Sequence, residues 1–239
     1  MHRIAVLLIL VPTLAAEEPL PTAHTVRDIE GWTVHVDDRL LKADDPIGTA
    51  ALRILANRLY DIKLVVPADK VARLQKVPIW LDKDYGSLRP AQYHPGVGWL
   101  KEHGYSPDLV KCVHIPRAAD FIAPNHQNIQ PWSVMHELAH AYHDQVLGFD
   151  DVRIRLAYER FKTSGKYKSV LHASGRKIEH YGLTNPMEFF AEMTESYFGV
   201  NDFFPFTRAE LKHEEPEIYE LMETIWGKVR LEGPAKAKK

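Results

Sequence analysis

His136, Glu137 and His140 stand in the order HELAH, two histidines four residues apart with a carboxylate beside the first. On a helix, positions four apart lie one turn apart on one face. Both imidazoles can then reach one point, and imidazole is a common ligand for Zn²⁺. Glu137 adds a group able to take and return a proton beside that point. These residue types at this spacing point to metal-assisted hydrolysis, with a peptidase as the leading expectation.

The surrounding residues fit a helix over 131–147. Pro131 suits a first helical turn. Projected at about 100° per residue, His136, Glu137, His140, His143 and Asp144 share one polar sector. Val134, Met135, Leu138, Ala141, Tyr142 and Val146 fill most of the remaining circumference. A narrow polar stripe on a mostly apolar helix fits a cleft wall better than a solvated face. Two histidines leave a catalytic site incomplete, since three protein ligands are usual. The Cα of His143 lies about 10 Å along the axis from that of His136, too far for both to bind one ion. A third donor must come from elsewhere.

A second stripe offers one. On a helix over 186–198, Glu188, Glu192 and Glu195 form a polar line flanked by Phe189, Phe190, Met193, Tyr197 and Phe198. Asn185-x-x-Glu188, with Pro186 at the first position, also fits a capping box. A cap accounts for Glu188 but not for Glu192 one turn later. A ligand with a supporting carboxylate behind it accounts for both.

HELAH followed by YGLTNPMEFFAE resembles the zincin metallopeptidases related to the catalytic domain of anthrax lethal factor. Pro-Pro endopeptidases are more distant relatives of that group. The resemblance spans residues 131–199. It implies one Zn²⁺ ion held by His136, His140 and Glu188, with Glu137 as general base toward a zinc-activated water. Tyr181 is implied to assist catalysis at the oxyanion, and Glu192 to support the site.

Pattern and composition set the frame. Met1-His2-Arg3, the apolar run Ile4 to Leu14 and Ala15-Ala16 predict a signal peptide over 1–16, hence a secreted or periplasmic protein. Residues 17–30 read as a linker, 31–228 as the peptidase domain and 229–239 as a disordered basic tail. Trp32 to Val36 and Val77 to Leu81 read as strands, Pro78 marking an edge or a strand start. Lys111 to Ile115 reads as another strand, either internal or an edge that pairs with an extended peptide. Helices are expected from Asp45-Pro46 onward and over 68–75, 151–163 and about 207–226, with loops over 84–108. The fold class is thus α+β. The pattern gives an N-terminal α/β lobe around a small mixed sheet and a helical C-terminal lobe with a cleft between them, and the resemblance implies that the arrangement is zincin-like.

The chain is 45% hydrophobic and 26% charged with a net charge of −2, an ordinary globular balance without a nucleic-acid footprint. Its single cysteine, Cys112, excludes an internal disulfide and reads as a small buried residue. The expected partner is a peptide or protein substrate. A monomer with no stable membrane anchor after signal cleavage is expected. Two other functions fit the same residues: an inactive binding protein of zincin fold, and a zinc amidase acting on a cell-wall component. Phe203 to Phe206 is either core or the wall of a specificity pocket. His114, His126, His143, His172 and His180 either approach the cleft or are structural.

Overall fold

Asp45 starts the first long helix by accepting the Gly48 N–H at 2.9 Å, with Pro46 supplying a preset first turn. The computed structural model describes residues 20–229. The expected signal segment 1–16 and all of the basic tail but Val229 lie outside the described residues. In chain order the strands are β1 (His24–Ile29), β2 (Trp32–Asp37), β3 (Ile79–Leu81), β4 (Gln92–Tyr93), β5 (Val113–Ile115), β6 (Val170–Leu171) and β7 (Lys177–Ile178). The helices are α1 (Pro46–Val65), α2 (Ala68–Leu74), α3 (Val97–Glu102), α4 (Ala118–Phe121), α5 (Pro124–Ile129), α6 (Ser133–Tyr142), α7 (Val152–Thr163), α8 (Pro186–Phe198), α9 (Arg208–Glu214) and α10 (Pro216–Trp226). The architecture is α+β.

Five strands form one mixed sheet in the order β1-β2-β3-β5-β4. β2, β3 and β5 run parallel, with Val34 beside Ile79 and Ile79 beside Val113. β1 and β4 are antiparallel edges. The inner strands bury Val34, Val36, Ile79, Leu81, Val113 and Ile115. β6 and β7 form a separate two-stranded ribbon. α6 packs against β4, β5 and α8. Its apolar faces are buried through Val134, Met135, Leu138, Ala139 and Ala141, and every residue of α8 from Phe189 to Phe198 is buried. Among the described residues no helix is long and apolar enough to cross a membrane.

Several expectations change. Residues 24–29, read as linker, form β1. The turn to β2 uses Glu30 and Gly31, both at positive φ (54° and 92°), as a two-residue hairpin requires. β1 is an exposed to half-buried edge, so it lacks the apolar alternation that marks a strand. The strand near Lys111 is β5, an internal strand; the edge is the two-residue β4, within the stretch read as loops. The HELAH helix ends at Tyr142 and continues as one wider π turn over His143–Leu147. The single helix expected over 207–226 is two, broken at Glu215 because Pro216 has no N–H to continue the ladder.

Candidate metal centre

Asn185 caps α8, its Oδ1 accepting the N–H groups of Met187 and Glu188, each at 2.9 Å. The Glu188 carboxylate points across to α6. Its Oε2 lies 3.1 Å from His136 Nε2 and 3.2 Å from His140 Nε2. The imidazoles meet edge to face with centroids 4.8 Å apart. One donor atom from each of the three residues lies within 4.8 Å of the other two, a cluster able to hold a metal ion. Residues 52 positions apart, His136 and Glu188, thus meet because two amphipathic helices pack polar stripe to polar stripe.

The electrostatics follow from burial and pairing. Burial opposes charge on His136, but hydrogen bonds to Glu188 and Glu195 outweigh it and hold its pKa well above the usual histidine value. Burial likewise opposes charge on Glu188, and its two imidazole partners hold its pKa well below the usual carboxylate value. Protons and a metal cation compete for these same donor atoms.

Glu137 lies beside this cluster. Its Oε2 accepts the backbone N–H of Tyr93 on β4 at 2.7 Å. Burial raises its pKa, and the neighbouring histidines and that N–H offset part of the rise. A carboxylate raised in this way is a stronger base than a solvated one. The Tyr93 hydroxyl donates to Asp144 Oδ2 at 2.6 Å and accepts from Gln145 Nε2 at 3.0 Å, and Lys111 pairs with Asp144. The edge strand is thereby tied to the end of α6, and the amide that holds Glu137 is fixed in place.

The carboxylate behind His136 is Glu195, with its Oε1 at 2.7 Å from Nδ1. Glu192, expected in that role, has its Oε1 at 3.7 Å. Both glutamates lie on the same buried stripe, each 3% exposed, and the packing of α8 on α6 brings the later one opposite Nδ1. Burial first, and the proximity of other carboxylates second, raises the pKa of Glu192 well above its usual value; burial also raises that of Glu195.

Tyr181 opens a 3₁₀ turn (Tyr181–Leu183) immediately before α8. The preceding His180 shapes that turn, its Nδ1 accepting the Gly182 N–H at 3.0 Å. Tyr158 fastens the far end by donating to the Leu183 carbonyl at 3.0 Å. Tyr181 is 47% exposed, and its ring faces a cavity of about 720 Å³ that also contains His136, Glu137, His140 and Glu188. The pKa of its phenol is raised by burial and then by Glu188.

Of the other histidines considered, His126 lines this cavity; His114, His143, His172 and His180 do not. His114 bonds Asp82 at 2.8 Å within the sheet. His143 is fully buried against Phe149 and Phe190, and burial lowers its pKa to about 4. None of Phe203 to Phe206 lines the cavity, and Phe203 joins the core. Cys112 is buried and its thiol is pushed up to about 11 by burial, which suits the inert small residue expected. Sequence reasoning missed Tyr93 and its partner Asp144 as a pair, because the edge strand is too short to carry a pattern. The role of Glu195 left a trace in its place on the second polar stripe.

Residues 89–225 match the family described as anthrax toxin lethal factor, N- and C-terminal domain. No curated protein and no solved structure matches the chain.

Proposed function

The chain belongs to the anthrax toxin lethal factor family, and from that premise we infer that it is a zinc-dependent metallopeptidase of zincin type. One observation supports this reading above the rest: Glu188 Oε2 within 3.1 and 3.2 Å of two imidazole nitrogens held one turn apart. A His₂Glu set with mutual spacing under 4.8 Å fits Zn²⁺, whose catalytic sites take three such protein ligands. His136, His140 and Glu188 would hold the ion, and Glu195 would fix the His136 ring and its tautomer.

Bound there, zinc supplies a Lewis acid that acidifies water and polarises the scissile carbonyl. Glu137 takes the proton of the attacking water and passes it to the leaving amine. The Tyr93 amide holds one oxygen of Glu137, leaving the other to face the reaction. Tyr181, half-exposed at the cavity wall, donates its hydroxyl proton in a hydrogen bond to the oxyanion that forms on the carbonyl. The substrate is a peptide or protein, the enzyme works as a monomer, and the leader over 1–16 directs it out of the cytoplasm.

The test is metal analysis of the purified protein beside cleavage of a mixed peptide library by wild type and Glu137→Ala. One equivalent of zinc in both, with turnover in the wild type alone, is expected. Wild-type protein that binds no metal, or a Glu137→Ala variant that cleaves at the wild-type rate, would overturn the reading.

A further inference from the structure

From Arg89 to Trp99 the chain is exposed or half-buried except at two neighbouring residues, Tyr93 and His94. This stretch contains β4, whose Tyr93 N–H holds Glu137. β4 pairs with β5 through Gln92 and Tyr93, and the His94 backbone adds one bond each with Cys112 and Lys111. So short and exposed an edge opens readily unless side chains pin it. Successive residues of an extended chain point to opposite faces. Tyr93 reaches the end of α6 through Asp144. His94, 2% exposed, packs beside the Trp99 ring, with centroids 6.0 Å apart, and meets His114 of β5.

There His94 enters a row of polar groups, none of which lines the metal cavity. His94 Nε2 lies 3.3 Å from His114 Nδ1, His114 Nε2 lies 2.8 Å from Asp82 Oδ2, and Asp82 Oδ1 lies 2.6 Å from His24 Nε2. Asp82 and His114 are fully buried. The carboxylate decides which way the hydrogens run. Because it only accepts, both His24 and His114 donate to it from Nε2. Burial holds the pKa of His114 below the usual histidine value, against the pull of Asp82, so the ring is neutral and its Nδ1 carries no hydrogen. That nitrogen accepts from His94 Nε2. Donation thus runs one way, from His94 to His114 to Asp82. We propose that His94 is a positioning residue for the general base: Asp82 orients His114, His114 holds His94, and His94 fixes the strand whose Tyr93 amide aims Glu137. The effect on Glu137 rests on the metallopeptidase reading; the direction of donation does not.

Two measurements separate these claims. The first is long-range proton–nitrogen NMR of the purified protein labelled at histidine, which reads the tautomer of each ring. His94 and His114 should both carry their hydrogen on Nε2. A hydrogen on His114 Nδ1 overturns the proposal and leaves the peptidase standing. The second compares His94→Gln and His94→Leu in the zinc-loaded enzyme. Gln keeps an N–H able to reach His114; Leu fills the space without a donor. His94→Leu should lower kcat by about 10- to 100-fold, as a displacement of about 1 Å at the base allows, with KM and zinc content little changed. Its Tyr93 amide should also exchange hydrogen faster than in wild type. His94→Gln should recover most of both losses. Wild-type kcat in His94→Leu overturns the proposal. So does an equal loss in the two variants, the result expected if His94 only fills space. Wild-type protein that cleaves nothing defeats the peptidase and with it the role toward Glu137, while the tautomers and the Tyr93 exchange still decide the network. If His94→Leu fails to fold, His94→Phe, which keeps a ring against Trp99 but no donor, takes its place under the same criteria.

Discussion

Glu195→Gln beside Glu192→Gln separates the two buried glutamates of α8. His136 Nδ1 and Glu195 Oε1 are 2.7 Å apart, with side-chain exposures of 11% and 5%, so water cannot replace the lost partner well. A hydrogen bond to a charged group contributes about 1.5–3 kcal/mol. At about 1.4 kcal/mol per factor of ten, its loss weakens zinc binding by roughly 10- to 100-fold. That agrees with the roughly 10- to 100-fold effect of removing a partner of a ligating histidine. Glutamine keeps an acceptor oxygen but not the charge, so it belongs at the lower end of that range. Glu195→Ala leaves Nδ1 unpaired and belongs at the upper end. Glu192, 3.7 Å from the same nitrogen, makes no comparable bond, and Glu192→Gln should shift zinc affinity by less than about threefold. The assay is competition against a chromophoric chelator at fixed pH, with melting temperatures recorded beside it. A larger loss in Glu192→Gln than in Glu195→Gln would refute the assignment of the supporting role.

Other outcomes follow from single features. Tyr181→Phe removes one donor to the oxyanion and should lower kcat by about 10- to 1,000-fold with zinc content and KM little changed; wild-type kcat in steady-state assays would remove the hydroxyl from the chemistry. Gly199→Ala should destabilise the fold by about 1–3 kcal/mol, because its Cβ would lie 1.9 Å from Trp132 Cε2 on the indole that covers the start of α6; a urea midpoint equal to wild type contradicts this. Burial lowers the pKa of His94 to about 4 and of His180 to about 3, against 6.5 when exposed. At these two positions the unfolded chain binds more protons than the folded one, so the stability that each contributes falls as pH drops below about 6.5. At pH 5 the loss is about 2 kcal/mol per histidine, from about 1.5 pKa units at 1.36 kcal/mol each. Urea melts of wild type and His180→Gln at pH 7.5 and pH 5 check it: the wild-type midpoint should fall further on acidification than that of the variant, and equal falls speak against a neutral buried His180.

How much the sequence revealed depended on how local the signal was. α6 and α8 were legible because HELAH and the Glu188-Glu192-Glu195 line each place chemistry on one face of a helix among apolar residues. Asp45-Pro46 and Asn185-Pro186 marked two helix starts through capping, which acts within a few residues. β4 was hidden because two residues show no period, and β1 because an exposed edge need not alternate. The choice between Glu192 and Glu195 behind His136 depends on how two helices whose first residues, Ser133 and Pro186, are 53 positions apart in the chain cross, a question of ångströms that side-chain pattern does not encode. The hold of Tyr93 on Glu137 was likewise out of reach, since it uses a backbone N–H that any residue but proline offers.

The most direct measurement is a crystal structure of the zinc-loaded protein with anomalous data collected at the zinc edge. A single peak within about 2.0–2.2 Å of His136 Nε2, His140 Nε2 and a Glu188 carboxylate oxygen is expected. A peak that excludes Glu188, or none at full zinc loading, would contradict the assignment of these three residues to one cation.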